Sequence, residues 1–301
     1  MVPTLLRLML VAALALASPV HAALRLPEPV SFPSLEGGVT VTGLLFLPAS
    51  ASGRVPLVVG LHGCGGMWSM RGDGHSRLDA RSRAWTERFV EEGYAVLWPD
   101  SFTPRGRRSV CEIPRGEPSI DPSERRLDVL GALAFAATRA ELDSERVALV
   151  GWSHGGSTVL ASVNGRDPRI AQFYAAAGAP KAPRAAVAFY PGCGVSLRAG
   201  QGWLAAVPLA VYSGALDDWS STPLCVRLTA SARARGADMT ITVYPDAHHG
   251  FDAPGDRLAH RSDVTRGVDA ARGVTAGPNP AARAAVEIAL PEFLRRHFQG
   301  R

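Results

Sequence analysis

The chain has 301 residues, of which 47% are hydrophobic and 20% charged, and its formal net charge is +5. This length is enough for one large domain with a substantial core. The basic residues are almost all arginine and are dispersed, and no RNA- or DNA-binding motif is present, so the charge indicates a solvated surface rather than a nucleic-acid site.

The N-terminus has the layout of a secretory signal peptide. Arg7 is the one charged residue before an apolar run over residues 8–17, and small residues follow up to Ala22. This pattern predicts a signal peptide over residues 1–22, in preference to an uncleaved anchor, and no other stretch is long and apolar enough for a transmembrane helix. We therefore expect a single domain over residues 23–301, exported to the periplasm or the extracellular space.

Strands and helices alternate along the rest of the chain, and an opening hairpin is expected to turn at residues 36–38. Continuous apolar runs are typical of strands buried on both faces. The predicted strands are residues 39–47, 55–61, 94–98, 146–150, 185–190, 208–213 and 239–244. The predicted helices are residues 83–92, 125–142, about 223–235 and about 281–298, together with one that follows Ser153; residues 101–121 and 253–280 are expected to be irregular. The alternation predicts a mostly parallel sheet with helices on both faces.

The sequence G-x-S-x-G at residues 151–155 directly follows one of these strands. A serine nucleophile needs a sharp strand-to-helix turn, and side chains two positions before and after it would collide there. Ser153 is therefore the candidate nucleophile, with the amide of His154 aimed at a developing oxyanion. Taken alone, the pattern also fits an ordinary strand-to-helix loop.

In an open α/β sheet, sites gather beyond the carboxyl ends of the strands. The glycine-rich turn at residues 62–66 follows one strand, and the Cys64 amide is the second candidate oxyanion donor. A phosphate cradle is disfavoured there because the established glycine motifs are absent. His62 could act as a second base, but a role in shaping the loop by hydrogen bonding is favoured.

A candidate acid and a candidate base follow two later strands. Asp217 and Asp218 are both placed to orient a histidine, and the unused acid could cap the next helix. His248 and His249 follow the last predicted strand. With Ser153, these residues complete the chain order Ser…Asp…His of a serine hydrolase.

The four cysteines, which allow three pairings, suit an oxidising compartment. Cys193 lies just after one predicted strand and Cys225 shortly after the next, so we favour a Cys193–Cys225 disulfide, which leaves Cys64–Cys111. The absence of C-x-x-C spacing argues against a zinc site or a redox pair, and no metal site is expected.

In these motifs the chain resembles the dienelactone hydrolase family of α/β-hydrolases, over about residues 35–299. The carrying segments are residues 62–65, 151–156, 214–217 and 244–251. The resemblance implies an α/β-hydrolase fold and selects Asp217 as the acid and His249 as the base. Founding members carry cysteine where this chain has Ser153, which favours a general carboxylic-ester hydrolase over a dienelactone hydrolase.

The expected substrate is a small-molecule ester, and no metal or organic cofactor is needed. Trp152, Tyr190 and Trp219 near strand ends are candidates for the walls of an apolar pocket, with plain core positions as the alternative. Arg105 is a candidate partner for a substrate carboxylate, although a solvated loop is the default. The competing functions are a serine peptidase of the same fold and a non-catalytic binding protein; the oligomeric state stays open.

Overall fold

Eight strands form one sheet in the computed structural model, which describes residues 26–49, 53–69, 77–114, 116–269 and 271–299. The strands are β1 (Glu28–Pro33), β2 (Thr40–Phe46), β3 (Val55–Leu61), β4 (Ala95–Asp100), β5 (Leu142–Trp152), β6 (Ala185–Phe189), β7 (Leu209–Gly214) and β8 (Met239–Tyr244). Their spatial order is β1-β2-β4-β3-β5-β6-β7-β8. Both pairs that involve β2 are antiparallel and all other pairs are parallel. The predicted signal peptide lies outside the described residues.

Helices cover both faces of this sheet, as predicted. They are α1 (Ala80–Glu91), α2 (Pro122–Ala137), α3 (His154–Ser162), α4 (Pro168–Ala175), α5 (Gly194–Arg198), α6 (Thr222–Ala234) and α7 (Pro280–Phe298). Leu130 of α2 and Leu160 of α3 pack in the core on one face, and Phe89 of α1 and Leu290 of α7 pack on the other. Within the described ranges, no helix combines the length and apolarity needed to cross a membrane.

Side-chain caps fix where two helices begin. The carboxylate of Asp79 accepts the amides of the first turn of α1, and Asp121 forms a capping box with Glu124 at the start of α2. Both helices therefore begin three residues before the predicted starts at 83 and 125. The predicted helix over residues 125–142 also ends early, because the chain enters β5 at Leu142.

The two segments that were expected to be irregular differ from each other. Of residues 101–114 and 116–121, which the structure describes, Thr103–Arg105 form a short 3₁₀ turn and the others are irregular. Residues 253–280 include β9 (Ala259–Arg261) and β10 (Val274–Ala276), which pair antiparallel in a separate ribbon. This ribbon is a small addition to the predicted architecture.

Both disulfides follow the favoured pairing. Cys64 is joined to Cys111, and Cys193 to Cys225. The first crosslinks the turn after β3 to the segment between β4 and α2, and the second joins the segment after β6 to α6. Structural disulfides of this kind form in oxidising compartments.

Because β3 to β8 run parallel, their carboxyl ends lie along one edge of the sheet. The chain leaves this edge at His62 after β3, Ser153 after β5, Tyr190 after β6 and Ala215 after β7. Residues that are far apart in sequence are thereby brought together at that edge.

Candidate active site

Ser153 occupies the turn between β5 and α3, with φ 55° and ψ −113°. A positive φ is uncommon for a residue with a Cβ. Close packing explains the flanking glycines: a Cβ on Gly155 would meet the carbonyl oxygen of Leu61, and one on Gly151 would meet the carbonyl oxygen of Gly155. The G-x-S-x-G pattern therefore reflects a turn pressed against β3.

Ser153, His249 and Asp217 form one hydrogen-bonded chain. The Ser153 Oγ lies 2.8 Å from His249 Nε2, and His249 Nδ1 lies 2.9 Å from Asp217 Oδ2. Since a carboxylate accepts, Nδ1 carries the proton and Nε2 is left to accept from the serine hydroxyl. The Asp217 carboxylate is held in turn by the amides of Trp219 and Ser220, at 2.9 and 2.8 Å from its Oδ1.

Asp218 and His248 lie outside this hydrogen-bonded chain, and Nδ1 of His248 is buried with no hydrogen-bond partner. Both carboxylate oxygens of Asp218 accept the amide of Thr275 in β10. The expectation that the unused acid caps the next helix is wrong, because Ser221 precedes α6. The hydrogen bond of His249 Nδ1 thus goes to Asp217 and not to Asp218.

Two aromatic rings flank the His249 imidazole. The ring of Tyr190 lies 4.4 Å away and that of Trp219 lies 4.8 Å away, measured between centroids. Burial raises the pKa of Tyr190 well above its ordinary value, so its hydroxyl stays a donor. These rings restrict how far the imidazole can move and exclude water from its faces.

Asp252 is a buried acid that the sequence analysis did not single out. Its carboxylate accepts hydrogen bonds from Trp85 Nε1 and Trp152 Nε1, both at 2.8 Å, and from the Tyr190 hydroxyl at 2.6 Å. Arg81 Nε lies 3.4 Å from the same group. Asp252 therefore links α1, the end of β5 and the end of β6. The one signal in the sequence was an acid three residues after His249.

The two predicted amide donors lie at the same cavity as the serine. Cys64, Ser153 and His154 all line it. His154 is the first residue of α3, so its amide has no carbonyl partner within the helix. This free N–H is part of the positive end of the helix dipole. The backbone of Cys64 is fixed through its disulfide and through its carbonyl, which accepts the amide of Val110 at 2.8 Å.

A buried arginine lies behind these donors and was also missed. Arg125 of α2 donates from Nη1 to the His62 carbonyl at 3.0 Å and to His154 Nδ1 at 2.8 Å. Its guanidinium also lies over the ring of Phe102, 4.9 Å from the centroid. Burial lowers the pKa of Arg125 to about 10, which leaves it charged at neutral pH.

Two histidines near Arg125 are held neutral. Burial, with the nearby Arg125 charge, lowers the pKa of His62 to about 3 and that of His154 well below its ordinary value. Because His154 Nδ1 accepts from Arg125, its Nε2 carries the proton and donates to the Ile120 carbonyl at 2.9 Å. His62 takes the opposite tautomer, donating from Nδ1 to the Gly63 carbonyl at 2.9 Å. His62 is a loop-shaping residue in this geometry.

The cavity beside Ser153 has a volume of about 630 Å³. Apolar side chains and two arginines contribute to its walls: Val110, Ile120, Val195, Arg198, Trp219, Leu224, Arg266 and Val268. Of the four residues predicted to bind substrate, Trp219 is among the lining residues.

Trp152, Tyr190 and Arg105 do not line this cavity. Trp152 and Tyr190 are buried, and their polar atoms donate to Asp252. Arg105 instead forms a two-pronged ion pair with the buried Asp128, at 2.8 and 3.0 Å. Its cation is therefore neutralised away from Ser153.

The dienelactone hydrolase family model matches residues 41–287. No sequence among the curated proteins is significantly similar to the chain. Solved structures with the same fold include a dienelactone hydrolase-like promiscuous phosphotriesterase from metagenomic libraries (18% identity, TM-score 0.62, covering 91% of this chain and 98% of the other).

Two further structures with this fold carry different activities. Brefeldin A esterase, a bacterial homologue of human hormone-sensitive lipase, is 17% identical with TM-score 0.58, and the match covers 96% of this chain and 81% of the esterase. The acylaminoacyl peptidase of Pyrococcus horikoshii is 14% identical with TM-score 0.60, and the match covers 91% of this chain and 42% of the peptidase. At these identities the likeness is one of fold.

Proposed function

This chain belongs to the dienelactone hydrolase family, and from that premise we propose that it cleaves carboxylic esters through an acyl-enzyme on Ser153. Family membership gives a hydrolase. The observation that supports the serine mechanism is the hydrogen-bonded chain from Ser153 Oγ through His249 to Asp217, at 2.8 and 2.9 Å. Each atom in that chain has the donor or acceptor role that acyl transfer needs.

In the first half-reaction, His249 Nε2 takes the proton of Ser153 as Oγ attacks the ester carbonyl carbon. The carbonyl oxygen becomes an anion, and the amides of Cys64 and His154 donate to it. Asp217 stabilises the imidazolium while the tetrahedral intermediate exists. Collapse breaks the bond to the alcohol, which leaves with the proton from His249.

In the second half-reaction, water attacks the acyl-enzyme and His249 acts again as the base. Collapse of the second tetrahedral intermediate releases the carboxylic acid and returns the proton to Ser153 Oγ. All protons are exchanged among substrate, water and His249, so these steps need only the side chains and amides already named.

The cavity supports a small ester as the substrate. Its volume of about 630 Å³ is in the range of pockets that enclose small organic ligands. Apolar walls contributed by Ile120, Trp219 and Leu224 suit a hydrocarbon acyl or alcohol group. We propose a small-molecule carboxylic ester as the substrate class on this basis.

The decisive experiment compares the parent protein with Ser153→Ala on p-nitrophenyl acetate. Loss of the nucleophile should lower turnover about 10⁴–10⁶-fold. Ser162→Ala is the matched control, because Ser162 is a buried serine at the far end of α3 whose Oγ donates to the Thr158 carbonyl. The control should keep turnover within about twofold, as expected for a substitution away from the site.

Two further readouts separate the competing functions. A fluorophosphonate probe should label the parent and not Ser153→Ala, whereas a non-catalytic binding protein would leave both unlabelled. A p-nitroanilide of the same acyl group should turn over far more slowly than the ester, and the reverse preference would identify a peptidase. Equal ester hydrolysis by parent and Ser153→Ala would exclude this mechanism.

We also propose that the protein is exported to the periplasm or the extracellular space. The two disulfides, Cys64–Cys111 and Cys193–Cys225, support this location, because cytosolic reductants keep most thiols reduced. N-terminal sequencing of the protein from cell fractions tests the proposal. Cleavage after Ala22 in an extracytoplasmic fraction is expected; an intact N-terminus in the cytosol would contradict it.

A further inference from the structure

Arg125 is a buried cation without an ion-pair partner among the described residues. Its exposure is 1%, and its Nε and Nη2 atoms have no hydrogen-bond partner. The nearby Asp128 is already bound by Arg105 at 2.8 and 3.0 Å. Because desolvation of a charge is costly, the buried Arg125 depends on the few contacts that it does make.

Both hydrogen bonds of Arg125 come from the single nitrogen Nη1. It donates to the His62 carbonyl, in the turn that leads to Cys64, and to the His154 imidazole, on the turn that holds Ser153. The two amides that would bind the oxyanion come from these two separate segments. Arg125 is thus the side chain that bridges both halves of the oxyanion hole.

His154 extends the bridge to the wall of the cavity. With Nδ1 occupied by Arg125, its Nε2–H donates to the carbonyl of Ile120, which lines the cavity. Two charged groups act on this imidazole from the elements around it, Arg125 and Arg266, and His62 beside them is neutral. Protonation of His154 would oppose these charges and would turn Nδ1 from an acceptor into a donor that faces another donor.

We propose that Arg125 is a positioning residue of the oxyanion hole, which clamps the His62–Cys64 turn to His154 and fixes the hydrogen-bonding state of that imidazole. This inference rests on the proposed ester hydrolysis and adds a residue to it. Arg125 touches neither the serine nor the substrate; it acts through His62 and His154. A helix N-terminus and a buried cation on the same side also give the hole a positive potential.

The test compares Arg125→Met with Arg126→Met. Arg126 is the adjacent arginine of α2, but it bonds to Ser123 and Asp167, away from the oxyanion donors. Arg125→Met should lower kcat about 10–100-fold and change KM less than threefold, since misplaced oxyanion donors weaken transition-state binding. Arg126→Met should keep kcat within about twofold, and Arg125→Lys should recover part of the lost rate by restoring a charged donor.

Nitrogen NMR of the histidine side chains gives a readout that does not depend on activity. In the parent, His154 should stay neutral with its proton on Nε2 between pH 5 and 8. In Arg125→Met the Nδ1 signal should shift, because that nitrogen loses the donor from which it accepts. The signal can be assigned from its loss in His154→Gln.

Three results would overturn the proposal: a His154 that titrates normally in the parent, a parental kcat in folded Arg125→Met, or an equal loss in Arg126→Met. The first needs no arginine variant, so a misfolded Arg125→Met leaves the test intact. A parent protein without esterase activity would defeat the proposed function and leave the NMR test standing.

Discussion

Two buried ionic groups contact the two residues that flank Ser153 in sequence, Asp252 at Trp152 and Arg125 at His154, and the fold gives them different surroundings. Asp252, on the histidine side, accepts from three neutral donors and has Arg81 at 3.4 Å. Arg125, on the oxyanion side, has two acceptors for one nitrogen and leaves Nε and Nη2 without partners. Both oxygens of Asp252 therefore accept hydrogen bonds from the protein, whereas two of the three guanidinium nitrogens of Arg125 have no partner.

The difference teaches what each side contributes. A buried carboxylate with several donors fixes the groups around it. Asp252 therefore holds the side chains near His249 rigidly, and its donors screen its negative charge locally. The carboxylates of Asp128 and Asp100 compensate part of the Arg125 charge. The remaining positive field is useful where negative charge develops. Structural support of the histidine and the positive field at the oxyanion donors are therefore supplied by two different buried groups, Asp252 and Arg125.

The largest effect on stability is expected from removal of the Asp252 carboxylate, which accepts three buried hydrogen bonds. Asp252→Ala leaves three buried donors without an acceptor, which should lower the free energy of unfolding by about 3–5 kcal/mol. Urea denaturation monitored by tryptophan fluorescence measures it. Asp269→Ala, which removes an exposed acid paired with Arg272, is the control and should change stability by less than about 0.5 kcal/mol. A loss below about 1 kcal/mol for Asp252→Ala would show that the support does not depend on the carboxylate.

The oxyanion side should reveal itself in the pH dependence of stability. The pKa of His62 is lowered to about 3 in the folded protein, against about 6.5 when unfolded. Between these values the unfolded chain binds one more proton, so stability is fully present above about pH 6.5 and falls as the pH falls. The slope from one such histidine is about 1.4 kcal/mol per pH unit.

His62→Gln isolates this contribution. Glutamine does not titrate, so the variant should lose stability less steeply than the parent between pH 4 and 6, by up to about 1.4 kcal/mol per pH unit. Unfolding free energies from urea titrations at a series of pH values give both slopes. Identical slopes would mean that His62 is protonated in the folded state, against the tautomer that its contacts with Gly63 and Ser101 require.

The sequence predicted the parts of the site that depend on local patterns. The G-x-S-x-G turn is set by contacts of Gly151 and Gly155, and the acid and base follow directly from strand ends. The sheet, its parallel strands and the helices on both faces follow from apolar periodicity in the same way. These features require few contacts between distant segments to be recognised.

The parts that were missed depend on long-range partners. Whether Trp152 and Tyr190 face the cavity or the core is decided by Asp252, which lies 100 and 62 residues further on. Arg105 was a candidate for binding a substrate carboxylate, with a solvated loop as the default, because the sequence does not show that it pairs with Asp128, 23 residues away in a helix. Arg125 reads as an ordinary helical arginine until α2 packs against the turn at His62.

The smallest effect should come from trimming one donor of the anion. Tyr190→Phe removes the hydroxyl that donates to Asp252 at 2.6 Å but keeps the ring that lies 4.4 Å from His249. Loss of one buried hydrogen bond should cost about 1 kcal/mol of stability, because both tryptophan donors remain. Since the ring still restricts the imidazole, kcat should stay within about threefold of the parent. Steady-state kinetics and urea denaturation on one preparation measure both values.

A loss of stability without a kinetic effect would show that the Tyr190 hydroxyl stabilises the fold around His249 and takes no part in the reaction. A loss of kcat greater than tenfold would instead place its hydroxyl among the groups that act on the substrate, and the separation of support from field would fail on the histidine side.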